Sequence, residues 1–313
     1  MNWNRILCLT LVFAAMAESR SEIIKEDASS LTYQQSDHQK AVLKKNPSRV
    51  VIAYTSLAKV WSLAGGRAVG VPGVPEKKAL PEDMRNLPTV GTAIIPNAEK
   101  IMMLEPDLVL LTAKLPRHRA TARLLRKSGI PALCADYNNY GDFNKLLGLF
   151  CKLNGRELED VPDARKVTEE VNKICEEARK NKPVRCAILF VSAAGFSLES
   201  PKTNTGMIAE MLGAVNISRD QKKPHMPLSY EQLILDDPDV IFLVLMGNSK
   251  ELQRKFHRDF SEKESWKTLK AAKAGRVHFL PTDLFLYMPG SDYPKAFRHL
   301  SDLLYPEKGN GSK

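Results

Sequence analysis

The chain has 313 residues, 43% of them hydrophobic, long enough for two domains with cores of their own and ordinary for a soluble globular protein. Its 46 Lys and Arg residues outnumber 36 Asp and Glu residues, for a formal net charge of +10, a surplus that suits an acidic partner or ligand. The basic residues are dispersed and no RNA-binding or zinc-finger signature accompanies them, which argues against nucleic acid and for an anionic small molecule.

In chain order, "MNWNR" carries one positive charge ahead of the apolar "ILCLTLVFAAMA", which ends in Ala15-Met16-Ala17, the pattern of a cleaved signal peptide over 1–17. About 12 apolar residues fall short of the roughly 20 that cross a bilayer. Cys8 comes too early, with no small residue before it, to be a lipidated cysteine, so no lipobox is seen and the mature protein is expected to be exported and free in a periplasm. Loss of Arg5 leaves 45 basic against 36 acidic residues, about +9. Cys134, Cys151, Cys175 and Cys186 show no C-x-x-C and no metal-type spacing, which leaves disulfides and buried thiols both open. Residues 18–46 are polar without sustained periodicity and read as a tail that at most drapes over the first lobe.

From Pro47 the pattern changes. Short apolar runs at 49–54, 68–71, 107–112 and 130–135, each leading into a helical stretch, predict a first lobe over 47–160 with strands buried on both faces, as in parallel sheets. The same rhythm returns at 185–191, 213–217, 239–245 and 276–281, predicting a second lobe over 183–307, with 308–313 a flexible tail. Between them, 161–182 reads as one long helix: Ala164, Val167, Val171, Ile174, Cys175 and Ala178 share a face at helical spacing. The expected fold is α/β, two Rossmann-like lobes joined by this helix with a ligand cleft between them.

Two stretches repeat at a constant offset of 132: "AEKIMMLEPDLVLL" from Ala98 and "YEQLILDDPDVIFLVL" from Tyr230. Both are the joint between a helix and a third strand, where Pro106 or Pro238 ends the helix and Asp107 or Asp239 opens the buried strand. Enzyme motifs are missing: there is no G-x-x-x-x-G-K-[ST] and no G-x-G-x-x-G, and "GFSLE" at 195–199 starts like a nucleophile elbow but has Glu199 in place of the second glycine. The six histidines are scattered, which speaks against a bare metal-ion site.

The stretches "PSRVVIAYTSLAKVWSLAGG", "VGTAIIPNAEKIMMLEPDLVLL", "TGMIAEMLGAVNI", "SYEQLILDDPDVIFL" and "WKTLKAAKAGRVHFLPTDLF" occur in an order that resembles the ABC-transporter substrate-binding proteins for iron-siderophores, haem and cobalamin, whose lobes are bridged by a single helix. The resemblance covers about Pro47 to Glu307. It implies a non-enzymatic receptor that acts as a monomer and has no cofactor of its own. The receptor would bind a small-molecule iron chelate, haem or a ferric siderophore, and deliver it to an ABC importer permease. Cobalamin or a bare metal ion is the alternative ligand, and a secreted α/β enzyme the remote one. It also implies that Glu99 and Glu231 dock onto permease arginines, standing on one rim because the lobes are related by an approximate twofold axis.

Ligands of open parallel sheets sit beyond the carboxyl ends of the strands. That rule selects Tyr54, Thr55, Lys114, Arg117, His118, Arg119 and Tyr137 from the first lobe and Phe196, Asn204, His225, Met246 and Tyr287 from the second. Lys114, Arg117 and Arg119 could pair with carboxylate or catecholate oxygens, and Tyr54, Tyr137, Phe196 and Tyr287 could pack on a planar body. If the ligand is haem, His225 is the candidate axial iron ligand; His118, flanked by arginines, reads more as a propionate or siderophore contact.

Overall fold

In the computed structural model residues 22–35 and 39–306 are described; the expected signal peptide and the final tail lie outside the described residues. The segment read as a polar tail is folded. β1 (Glu22–Glu26), β2 (Ser30–Gln34) and β3 (Lys40–Lys44) form an antiparallel sheet in that order. A period of two hides in its polar composition: Leu31, Tyr33 and Leu43 turn into the main core. Asp27 closes the first turn by accepting from Ser29 N (2.9 Å) and Ser30 N (2.8 Å), bonds that hold its carboxyl down at about 2. Gln35 Oε1 then accepts from Cys134 N at 2.8 Å, which fastens this sheet to the first lobe.

In the first lobe β4 (Val50–Ile52), α1 (Thr55–Leu63), β5 (Val71–Gly73), β6 (Thr89–Thr92), α2 (Ala98–Met102), β7 (Leu108–Thr112), α3 (Pro116–Lys127), β8 (Ala132–Ala135) and α4 (Tyr140–Leu153) come in order. Strands β4, β7 and β8 are parallel neighbours in the order β4-β7-β8, and β5 pairs β6 in parallel. A bridge from Val51 to Gly70 joins the two groups. Every residue of β4, β7 and β8 is buried, which is why they read as unbroken apolar runs.

The long helix is α5 (Pro162–Ala178), about 25 Å at 1.5 Å per residue. Its buried residues are the six that the spacing predicts. The second lobe contains, in order, β9 (Arg185–Ser192), β10 (Gly195–Glu199), α6 (Asn204–Met211), β11 (Val215–Asn216), β12 (His225–Pro227), α7 (Tyr230–Asp236), β13 (Val240–Met246), α8 (Ser249–Phe256), α9 (Glu264–Lys267), α10 (Lys270–Lys273), β14 (Val277–Phe279), α11 (Thr282–Phe285) and α12 (Tyr293–Leu304). Its sheet runs β12-β10-β9-β13-β14, with β11 beside β9. The parallel strands are those expected, but β10 runs antiparallel to β9 and β12 antiparallel to β10. The stretch 195–199, which starts like a nucleophile elbow, is thus a strand folded back by a tight turn, and Ser197 sits within it rather than at an elbow before a helix.

The chain's last helix crosses back over the bridge. On α12, Tyr293 and Phe297 pack against Tyr140 and Phe143 of α4, with ring centroids 4.7 to 5.1 Å apart for the pairs Phe143–Tyr293, Tyr140–Tyr293 and Tyr140–Phe297. One continuous core therefore contains residues of both lobes, α5 and α12. All four cysteines of the described residues are buried, and Cys151, Cys175 and Cys186 are thiols.

A candidate ligand cleft

Between the lobes lies a cavity of about 340 Å³. Asn138, in the loop after β8, faces it from the first lobe; the rest of its wall comes from the second. The apolar part is Phe190, Val244, Phe285, Leu286 and Met288, and the polar part includes Glu199, Lys202, Asn204 and His225. Sheet parity explains the membership. Residues 190 of β9 and 244 of β13 are cross-strand partners, and His225 of β12 stands opposite Glu199 of β10, so all four side chains share the cleft face.

The same parity removes Phe196 from the predicted site. It faces the outer core of the second lobe, 4.4 Å from the ring of Phe260 and with Lys255 Nζ above its own ring at 5.3 Å. Tyr137 is also displaced: it is 2% exposed, its ring lies 5.9 Å from Phe143, and burial pushes its phenol up. His118 is fully buried, with Nε2 3.1 Å from Ala93 O and Nδ1 accepting from Thr112 N at 3.4 Å. Burial lowers its pKa, so it is a neutral imidazole with the proton on Nε2, a peg between the loop after β6 and the end of β7 rather than a contact for propionate, siderophore or iron. Arg119 is turned inward as well and donates from Nη1 to Ala113 O.

Of the predicted site residues the cavity wall contains Asn204 and His225, and the others lie outside it. Tyr54 is half-buried, edge-on to His118 at 5.7 Å, and Thr55 begins α1 beside it. Lys114 is exposed overall, but its ammonium donates to Tyr137 O at 2.7 Å in a partly buried bond; burial lowers its pKa while Asp136 and Asp142 oppose this. Arg117 is exposed. Met246 continues the face of Val244 to the end of β13 and is 50% exposed, and Tyr287 is 67% exposed. His225 is exposed, with its ring 4.9 Å from Phe190, and burial on that side lowers its pKa toward the neutral imidazole.

Sequence reasoning missed two groups. Ile94 and Ile95, 65% and 57% exposed, project from the loop after β6, whose backbone is held by Thr92 Oγ1 accepting from both of their N–H groups. Glu199 is 4% exposed, and burial pushes its carboxyl up to about 7 against the opposing pull of the Thr203 and Thr205 hydroxyls. Thr203 Oγ1 lies 2.9 Å from Glu199 Oε2 and also accepts from Gly206 N, capping α6. An acid ending an apolar strand, with "SPKTNTG" directly after it, was the available signal. Among the described residues no three His, Cys, Asp or Glu side chains are grouped to hold a bare metal ion, and no helix is long and apolar enough to cross a membrane.

The profile of the periplasmic binding protein family matches residues 50–284. The chain belongs to this family. Its members are binding proteins of transport systems. The chain is 23% identical over 288 residues to the high-affinity heme uptake system protein IsdE of Staphylococcus aureus (strain MRSA252), a match covering 89% of this chain and 94% of that one. IsdE complexed with heme has the same fold (TM-score 0.66, 21% identity, 82% of this chain and 98% of that). An ABC transporter substrate-binding protein from Listeria monocytogenes EGD-e is similar too, with TM-score 0.69 and 22% identity over 83% of this chain and 99% of the other. So is S. aureus SirA complexed with staphyloferrin B, with TM-score 0.63 and 20% identity over 88% and 97%. These likenesses agree on two α/β lobes with a cleft between them.

Proposed function

We propose that this chain is an extracytoplasmic receptor that captures an anionic iron chelate, haem by preference and a ferric siderophore otherwise, and hands it to an ABC importer. The observation that carries the haem reading is His225. It stands in the cavity wall beside Phe190, none of the described hydrogen bonds engages its ring nitrogens, and its lowered pKa keeps a lone pair available for iron near neutral pH. Apolar Phe190, Val244, Phe285, Leu286 and Met288 would cover a porphyrin face. Lys202 in the cavity wall favours an anionic ligand of either kind, and a bare metal ion fits worse because no donors converge among the described residues. Export through a cleaved signal peptide, a periplasmic location and docking through Glu99 and Glu231 belong to the same reading, as do the two IsdE likenesses.

The test is a hemin titration of the purified protein. A saturable Soret band that shifts and weakens in His225→Ala is the expected result. No Soret change in the wild-type chain, with fluorescence quenching by a ferric siderophore instead, would move the ligand to the siderophore class.

A further inference from the structure

Asn204 opens α6 at the floor of the cleft and is 4% exposed. Its Oδ1 accepts from Tyr293 OH at 2.9 Å, which fixes the amide plane, while its buried Nδ2 has no hydrogen-bond partner. A buried donor left unmade costs stability unless something else completes it. Asn204 lines the cavity together with Lys202, Thr203 and Thr205. The backbone there adds donors: Thr203 caps the helix through Gly206 N, and the first-turn N–H groups of Asn204 and Thr205 donate to no described partner. Gly206 keeps that turn against the loop before it, since a Cβ at this position would stand 2.0 Å from Ser200 O.

We propose that the first turn of α6, with Asn204 Nδ2 as its central donor and Lys202 at its lip, is the seat for a carboxylate of the captured chelate. The helix end supplies a partial positive charge and oriented N–H groups, the amide supplies a fixed donor, and the lysine supplies the counter-charge. The carboxylate would lie on the second lobe and leave the apolar wall to the body of the ligand. This rests on the chelate reading above and specifies which residues hold the acidic arm of the ligand.

Asn204→Asp tests it, since the variant keeps an acceptor for Tyr293 OH and replaces the donor by a charge that repels a carboxylate. Hemin, its propionate dimethyl ester and ferric citrate are titrated into wild type, Asn204→Asp and the surface variant Lys202→Ala, with melting temperatures recorded. The expected result is hemin or ferric citrate weakened about tenfold or more by Asn204→Asp and less by Lys202→Ala, with the ester unaffected by either. Equal losses for hemin and its ester, or undiminished hemin and citrate binding by Asn204→Asp, overturn the seat while leaving the receptor reading in place. A wild-type chain that binds neither hemin nor ferric citrate overturns the seat, and one that binds no ferric siderophore either overturns the receptor reading as well.

Discussion

Residues 98–112 and 230–244 make the same turn in the two lobes. In each, a short helix is capped by a side chain, Asn97 accepting from Lys100 N and Ser229 from Gln232 N. Each helix runs into a left-handed non-glycine residue, Glu105 at φ 44° and Asp237 at φ 40°, immediately before the proline. Such a residue is strained by about 1–3 kcal/mol, and in both lobes an arginine from the start of the first strand steadies the helix end. Arg49 donates to Leu104 O and Glu105 O, and Arg185 to Asp236 O. The aspartate after the proline then accepts from the backbone of the first strand, Asp107 from Arg49 N and Asp239 from Arg185 N. What the lobes repeat is therefore the grammar that ends a helix and starts a buried strand. What they do not repeat is the cleft wall: the first lobe gives it Asn138, the second Glu199, Asn204 and His225 among others.

The largest expected effect comes from attacking the outward face that the symmetry preserves. Glu99 and Glu231 are exposed, and one helical turn beyond each stands an exposed apolar residue, Met103 at 81% and Leu235 at 78%. Reversing both glutamates to Lys is predicted to abolish uptake through the cognate importer while folding and ligand affinity stay intact, and each single reversal to reduce it in part. The readout is uptake by cells carrying the variants, beside binding by the purified proteins. Normal uptake by the double variant, or lost ligand binding, would sink the docking role.

A smaller effect separates the two joints. Asp107 accepts from Ser48 N, Ser48 Oγ and Arg49 N at 2.7 to 2.8 Å, whereas Asp239 accepts from Arg185 N at 2.9 Å. Asp107→Ala should cost about 1–2 kcal/mol and Asp239→Ala less than about 1 kcal/mol in urea unfolding. Burial raises the Asp107 pKa, but the Ser48 and Arg49 bonds outweigh it and the net shift is downward from 3.8. A depressed folded pKa gives stability that is present above the unfolded value and lost as pH falls through the folded one. The gap between wild type and Asp107→Ala should therefore hold near neutrality and close below about pH 3.8. Equal costs for the two aspartates would mean that the joints are interchangeable after all.

Long apolar runs made the central strands and the two-lobe order legible, and the buried face of α5 could be read residue by residue. The sheet β1–β3 was not legible because exposed Ile24 and Val42 stand next to inward Ile23, Ala41 and Leu43, which blurs the period of two among its lysines and glutamates. In the cleft, the rule that ligands lie beyond strand ends located the loops but could not orient side chains. Phe196 and Glu199 stand three residues apart on one strand and face opposite ways. His118 could not be placed from its neighbours in sequence, because both of its nitrogens are committed to backbone atoms from other elements, a fact of tertiary contact that no local spacing encodes.

The smallest expected change is in the relation of the lobes themselves. The long connector α5 resists the backbone rotations by which multi-strand hinges close. The α4 and α12 aromatic rings add a packed contact beside it, and Arg298 Nη1 of α12 pairs with Glu177 Oε2 of α5 at 3.0 Å. Closing the cleft by several ångströms would have to separate or slide these rings, and buried aromatic pairs are worth about 0.5–1.5 kcal/mol each beyond their area. Small-angle scattering of the free and ligand-loaded protein should therefore give radii of gyration that agree to within about 1 Å. A compaction of several ångströms on loading would mean that the lobes swing despite the shared core, and that the cavity between them is an open form whose walls meet differently around the ligand.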